Sequence, residues 1–569
     1  MVKFKEGLYN SNMPKKVFIG VAWPYVNGDI HIGHPAGYLL PADIFARFHR
    51  YLGNDVLMVS GSDCFGTPIT LEADKRKVSP EEVVKEYHAR NIELLKELGI
   101  SFDLYTKTDN PNHKKIVQDF FVKLLERGLI FKKETEQYYS PEEKRFLPDR
   151  YVEGKCPHCG FAEARSDQCE NCGRVLSPGE LQNPKNRTSG KPAALKPTEH
   201  YFFDWPKLQP FLEKYVAGRE GWRNWVLKET EGWLKTGLKP RAITRDLDWG
   251  VEIPIERIPK ELRIDNYEHK RIYVWFEAVI GYFSASLEWA ELQGKQWEDW
   301  WYDKDAIHAY FMGKDNLVFH TLFWPGQLHA FDEKLHLPDL PVINQFLNLE
   351  GRKFSKSRGI IIDSKYFVET YGLDALRFYL TLIAPESADT DFTWADFVGK
   401  NNEILIGNLG NFVNRTLTLA QALEFDGKNI DKKLAEKIVQ FVRGAKDSLG
   451  QAEFKKYLEF VLAISHEGNK YLASEEPWFL KEKEPKKFQA VMENAVFIVL
   501  ALLLTIKPLL PEATKKLGEI LGANFENWPT DEEKEIRESI AGIKIGKTKP
   551  LFNKIDEKII QEEKAKLKL

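Results

Sequence analysis

Three groups of side chains in this 569-residue chain are spaced for chemistry. The first is cysteine. CPHCG and CENCG set Cys156, Cys159, Cys169 and Cys172 as two C-x-x-C pairs with nine residues between them. Each turn lets two thiolates face one ion, and two such turns complete a tetrahedral S4 site that suits Zn²⁺. With every position a thiolate, the metal is structural, and its binding is folding energy for a small segment. Two redox dithiols are the competing reading. Cys64 stands apart and reads as a small packing residue. The second group is a pair of imidazoles, His31 and His34, around Gly33 in NGDIHIGH. Taken alone it is a loop with a helix cap. The third is LEGRKFSKSRG, where Lys353, Ser355, Lys356 and Ser357 lie between Gly351 and Gly359. Two lysines and two hydroxyls on a glycine-flanked loop can wrap a polyanion, although a lone basic loop is usually a solvated surface.

The flanking elements say where these groups meet. KKVFIGVAW reads as a buried strand from Val17 to Trp23. Pro24, Gly28 and Gly33 then break the chain. Ala36, Leu40, Ile44 and Phe48 recur at close to helical spacing, with Pro41 set to kink the helix or start it late. DVLMVSGSD is a second strand ending near Asp63. Strand, turn, helix and strand spell a parallel doubly wound sheet, whose ligands bind at strand carboxyl ends. PEEVVKEYHARNIELLKELG and NHKKIVQDFFVKLLERGL are helical. The pattern breaks from about Ile130 to Pro240, where the cysteines lie. Strand-like runs return at RIYVWFEA, AIHAYFMGKD and LPVINQFLNLEG, so an insertion splits the sheet. NQFLNLE should end on the same edge as His31. From Trp394 to about residue 540 the chain reads as helical, and EEKAKLKL as a solvated tail.

Apolar content of 43% and charged content of 29% fit a globular protein of several domains. A net charge of −3 argues against binding nucleic acid through overall basicity, though not against a local basic face. Five cysteines are too few for a disulfide scaffold. No apolar run is read as membrane-spanning, and MVKFKEGLYNSNMPKK lacks a signal-peptide core. A cytoplasmic protein is expected.

HIGH and KFSKS resemble the two signature motifs of class I aminoacyl-tRNA synthetases. AWPYVNGDIHIGH, SGSDCFGTPI, VWFEAVIGYFSAS, FMGKDNLVFH and NLGNFVNR together resemble the methionyl-tRNA synthetase family, in its order, from about residue 16 to 545. The resemblance implies an α/β fold: a Rossmann-like parallel doubly wound sheet, split by a zinc-binding connective insertion and followed by an all-α anticodon-binding domain. The expected boundaries are 1–127 and 241–350 for the catalytic domain and 128–240 for the insertion. They continue as 351–393 for the lysine loop and stem-contact region, 394–540 for the helical domain and 541–569 for the tail.

The implied activity is that of a methionine-tRNA ligase, which forms methionyl-adenylate from methionine and Mg²⁺-ATP and then charges tRNA(Met). His31 and His34 would donate to phosphate oxygens beside a helix N-terminus, and Gly33 would leave room for the nucleotide. Lys353 and Lys356 would neutralise pyrophosphate, Lys356 being the stronger candidate. Ser355, Ser357, Lys314 and Asp315 resemble further positions at the nucleotide. The resemblance carries the methionine pocket onto Ala22, Trp23, Tyr25, Asp63, Trp275, Ala278, Tyr282, Phe319 and His320. Asp63 would hold the ammonium and Arg245 would pair with Asp63. Asn411, Arg415 and Trp478 would form the anticodon pocket. A monomer is expected, with one structural Zn²⁺ and no membrane partner.

The chain departs from the family pattern at Phe65 (histidine), Val279 (proline), Asn316 (an apolar residue) and Trp23 (leucine). These positions keep a catalytically weak or inactive tRNA-binding paralogue in view. The synthetases for leucine, isoleucine and valine carry a larger editing insertion. A cysteine-specific enzyme would place a metal in the amino-acid pocket. An apolar pocket separates one methylene by about 1–3 kcal/mol, so norleucine is expected to be activated within roughly 200-fold of methionine. ATP–pyrophosphate exchange measures this, and rejection of norleucine as complete as that of aspartate would contradict it.

Overall fold

The computed structural model describes residues 14–567 except 149–150, 167–168, 170, 173, 175, 177–178, 220 and 355–358. Five parallel strands form its central sheet, here β1 (Lys16–Val21), β2 (Asp55–Ser62), β3 (Leu104–Lys107), β4 (Ile307–Gly313) and β5 (Leu340–Asn344), in the order β5-β4-β1-β2-β3. Val17 faces Ile307 on one side of β1, and Lys16 faces Asp55 on the other. β1, β2, β4 and β5 are buried almost throughout, as a parallel sheet covered on both faces requires. The chain leaves β1 toward β2 and later returns to the other side of β1 as β4. That reversal opens a crevice at the carboxyl ends of β1 and β4.

After β1 the loop runs into a π-turn, Pro35–Leu39, and the α-helix begins at Leu40 with Pro41 in its first turn. The run is already helical before Pro41, with Leu39 and Leu40 in the α region and Leu40 N–H donating to Pro35 O, and the wider π-turn accommodates the missing N–H of Pro41. Ser79 and Glu82 form a capping box on the helix Pro80–Glu97, and Asn110 caps Pro111–Glu126.

Between β3 and β4 the chain builds small antiparallel sheets. The longest ladder pairs Ile130–Ser140 with Ala194–Phe203, and Arg241–Ala242 closes its edge. RIYVWFEA is not one strand. Only Lys270–Ile272 is extended, and Val274–Glu277 turns into a helix that lines the crevice, tertiary packing overriding the β propensity of an aromatic run. LPVINQFLNLEG also divides. β5 ends at Asn344, and Leu347–Leu349 joins Arg352–Lys353 and Thr390–Phe392 in a separate sheet.

From Trp394 the chain is helical through Ile540. The helix Pro485–Ile506 has the length and composition to cross a membrane, contrary to the sequence expectation, but 89% of its apolar window is buried within the protein. It is the core helix of this half, packed by Phe454–Glu475 and Lys432–Gly450. The terminal residues are not a solvated tail either. Ile559–Lys566 is a helix, Glu563 accepts from the hydroxyls of Tyr366 (2.5 Å) and Tyr371 (2.8 Å), and Lys564 pairs with Glu350 at 3.0 Å. Amphipathicity over so few residues is too weak to reveal that docking from sequence.

Asp43 on the first helix is wholly buried and ties the halves together. It meets Arg377 Nη2 at 2.7 Å, Arg47 Nε at 2.7 Å and the Ser101 hydroxyl at 2.6 Å. Arg377 in turn donates to the carbonyls of Leu509 and Pro508. Asp43→Ala leaves a buried guanidinium without its counter-charge, and the expected loss is about 3–5 kcal/mol. Urea denaturation of the variant against the parent measures it.

Candidate active site

The crevice at the switch point is a cavity of about 400 Å³, within the size range of small-molecule sites. Its walls are the carboxyl ends of the strands. β1 contributes Ala22, Trp23 and Tyr25, β2 contributes Asp63, β4 contributes Gly313 and Asp315, and β5 leads into Gln345 and Asn348. The first two strand ends are knitted together, since Asp63 N–H donates to Pro24 O (2.9 Å) and Val26 N–H to Asp63 O (3.3 Å).

His31, Gly33 and His34 line the same cavity as Lys353. Contact between the two segments is direct. The His31 and Phe354 rings stack at 4.6 Å and 5°, Ile32 N–H donates to Ile362 O, and His31 bridges to Asp363. The Gly33 N–H donates to His31 Nδ1 at 3.2 Å, which puts the ring proton on Nε2. A side chain on Gly33 would bring a Cβ within 2.9 Å of the His31 ring. Ser355, Lys356 and Ser357 lie outside the described residues.

The apolar side of the cavity is aromatic. Tyr25 meets Trp275 edge-on, and Phe319 stacks on Trp275 at 4.5 Å. Tyr282 donates its hydroxyl to His320 Nε2 at 2.7 Å, because His320 Nδ1–H is committed to Asn316 O at 2.9 Å. Burial pushes His320 down to about 4, so the ring is neutral. Burial also raises Asp63, and nearby Glu277 raises it further. Trp275, Ala278, Tyr282 and His320 all line the cavity.

Three expected residues stand elsewhere. Phe319 backs Trp275 rather than facing the cavity. Lys314 turns to Asp389 at 2.6 Å and lies over the Phe346 ring. Arg245 is not on the wall: its guanidinium covers Tyr273 at 4.1 Å and donates to the carbonyls of Ala242 and Thr244. A strand as short as Thr244–Asp246 leaves side-chain direction open in sequence, and tertiary contacts set it. Sequence reasoning missed Tyr38, Gln345 and Asn348 on the wall. Tyr38 was legible one helical turn beyond His34. Gln345 and Asn348 were concealed by reading NQFLNLE as one strand.

Of the four departures from the family pattern, Trp23, Val279 and Asn316 line the cavity, while Phe65 packs on Trp249. Trp23 fits because Gly61 and Gly281 flank its ring, and a Cβ on Gly281 would come within 2.8 Å of it.

Away from the cavity, the four cysteine sulfurs lie within 4.8 Å of one another. Cys156 and Cys172 are 3.9 Å apart, and Cys159 and Cys169 are 3.6 Å apart. A tetrahedron with Zn–S bonds of about 2.3 Å has edges of about 3.8 Å, so the sulfurs present fit such an ion. In the helical half, the Arg415 guanidinium lies 5.2 Å over the half-exposed Trp478 ring, and Asn411 sits one turn before Arg415.

The chain was compared with known proteins. The family described as tRNA synthetases class I (M) matches residues 17–417, and the anticodon binding domain of methionyl tRNA ligase matches 426–568. A methionine–tRNA ligase of Thermomicrobium roseum is 41% identical, covering 98% of this chain and 99% of the relative. One from Chloroflexus aggregans is 40% identical over the same shares. The fold matches a crystal structure of Mycobacterium tuberculosis methionyl-tRNA synthetase bound by methionyl-adenylate, with a TM-score of 0.75 and 19% identity over 95% of this chain and 100% of that one. By sequence over its whole length, with the cavity at its switch point, this chain belongs to the methionyl family of class I aminoacyl-tRNA synthetases.

Proposed function

We propose that the cavity activates methionine with ATP and that the chain then charges tRNA, as a methionine–tRNA ligase. The observation that carries this reading is the sharing of one cavity by His31, His34, Lys353 and Asp63. In the first step a methionine carboxylate oxygen attacks the α-phosphorus, and the bond to the β-phosphate bridge breaks. Methionyl-adenylate forms and pyrophosphate leaves. The protein supplies no nucleophile. It aligns the carboxylate and stabilises the charge that spreads over the phosphates.

His31 Nε2–H and His34 act as donors to the phosphates, in the manner of an oxyanion hole. Lys353, with Lys356 from the loop beyond it, neutralises the departing pyrophosphate. Mg²⁺, when bound with ATP, supplies further charge neutralisation. Asp63 takes the substrate ammonium. The methyl thioether lies among Trp23, Tyr25, Trp275 and Ala278, with the Tyr282–His320 pair as a weak polar contact for sulfur. In the second step the tRNA 3′-terminal ribose hydroxyl attacks the methionyl carbonyl, and AMP leaves. Arg415, Trp478 and Asn411 read anticodon bases by stacking and hydrogen bonding.

The cysteine tetrad holds Zn²⁺ as a structural ion. Its local core is small, built on Tyr138, Leu147, Tyr151, Val152, Leu176 and Leu181. A core of that size gains its stability from the metal. Cys156→Ser is expected to lower zinc content measured by elemental analysis from one per chain and to make the 130–240 region protease-sensitive.

ATP–pyrophosphate exchange with each of the twenty amino acids tests the assignment, and exchange above background with methionine is expected. Exchange with none would favour a non-catalytic tRNA-binding paralogue. In the same assay His31→Ala should lower the methionine-dependent rate by roughly 10²–10³-fold.

A further inference from the structure

Behind the amino-acid end of the cavity lies a buried polar chain that no step above employs. Glu277 is the last residue of the helix Val274–Glu277 and is fully buried, and His113 and Ser284 are each 1% exposed. Glu277 Oε2 is 2.7 Å from His113 Nε2, and His113 Nδ1 is 2.8 Å from the Ser284 hydroxyl. The Ser284 hydroxyl donates to Gly281 O at 3.2 Å.

The direction of each bond follows from the last one. With its single proton on the Gly281 carbonyl, Ser284 is an acceptor toward His113. His113 Nδ1 therefore carries a proton. In a neutral ring Nε2 is then bare and needs a donor, and among the described residues the group against it is the carboxyl of Glu277. The alternatives are a charged imidazolium, or a neutral ring that takes the Ser284 proton at Nδ1 and donates from Nε2, each facing a carboxylate. Either would leave that carboxylate buried with Glu277 Oε1 lacking any hydrogen-bond partner. An ionised oxygen left unpaired in the interior is far costlier than the carbonyl oxygen of a neutral acid. Burial also acts toward the neutral pair, raising Glu277 and pressing His113 down to about 3. The other charges that reach His113, Glu288 and Lys114, oppose each other.

Asp63 lines the cavity within electrostatic reach of Glu277, whose charge would hold it protonated. Two carboxylates in one dry site cannot both ionise cheaply. We propose that Glu277 is a positioning residue of the amino-acid pocket, kept as a neutral carboxylic acid by His113 and Ser284 so that Asp63 alone carries charge for the substrate ammonium. This rests on the reading of Asp63 as the ammonium's partner.

Glutamine reproduces a neutral acid here: its amide N–H donates to His113 Nε2 and its carbonyl replaces Oε1. Leucine removes the donor at similar volume. Glu277→Leu should raise the KM for methionine about tenfold with the KM for ATP unchanged, and Glu277→Gln should restore it to within about threefold of the parent. Difference infrared spectra of the parent against Glu277→Gln should show the C=O stretch of one protonated carboxyl lost. Should Glu277→Leu fail to fold, the glutamine variant and the spectrum decide between them. A rise of about tenfold or more in the methionine KM with Glu277→Gln, or a spectrum without that loss, overturns the proposal. Asp63→Asn is the separate control. A methionine KM it leaves unchanged refutes the ammonium reading, whereas the infrared band reports on Glu277 whichever way that control falls.

Discussion

Two segments more than 300 residues apart meet at one strand edge beside the cavity, and backbone pairing is what joins them. Ile32 donates to Ile362, His31 bridges to Asp363, and the Phe354 ring lies flat on His31. The imidazole turn is anchored at its other end by β1, in the centre of the sheet. The lysine-bearing segment is therefore tethered on both sides. Arg352–Lys353 pairs with Leu347–Leu349, and the chain past Gly359 pairs with the histidine turn.

The switch point explains why the proposed amino-acid and nucleotide sites share one space. Because β1 has neighbours reached by opposite turns of the chain, the loops after β1 and β4 diverge and leave a crevice. The Trp275 ring from the helix after Lys270–Ile272 closes its apolar side, backed by Phe319 of the π-turn Phe319–Phe323. Among the described residues the π-helical segments Pro35–Leu39, Phe319–Phe323 and Asn401–Gly410 each carry or adjoin candidate site residues. A wider turn leaves a backbone carbonyl out of the ordinary ladder and rotates the next side chains, which is how a helix re-aims a face near a site.

The site depends on polar groups placed in dry surroundings. Burial holds His320 neutral against the opposing pull of its bond to Asn316, and that bond keeps the ring proton on Nδ1, so Tyr282 presents its oxygen to the cavity with its proton already committed. Asp43 and Arg377 perform a different task, carrying charge where the sheet meets the helical half. The first network tunes a pocket; the second holds two halves in one orientation.

By itself the amino-acid order determined the elements with strong local signals. The spacing of Cys156, Cys159, Cys169 and Cys172 named a tetrahedral site because two C-x-x-C turns have few other geometries. The runs at β1, β2 and β4 named a parallel sheet because burial on both faces leaves unbroken apolar stretches. The turn around Gly33 marked a strand-to-helix junction. Only tertiary structure decided what depends on contacts distant in sequence. It turned VWFE into a helix, split NQFLNLE between two sheets, buried the long apolar helix Pro485–Ile506 in the protein core, and docked the last helix through Glu563. It also turned Lys314 toward Asp389 and joined Glu277 to His113. The physical reason is common to all of these. Periodicity encodes which face of an element is apolar, whereas the partner of a buried polar group and the direction of a side chain at a strand end are set by whichever element packs there.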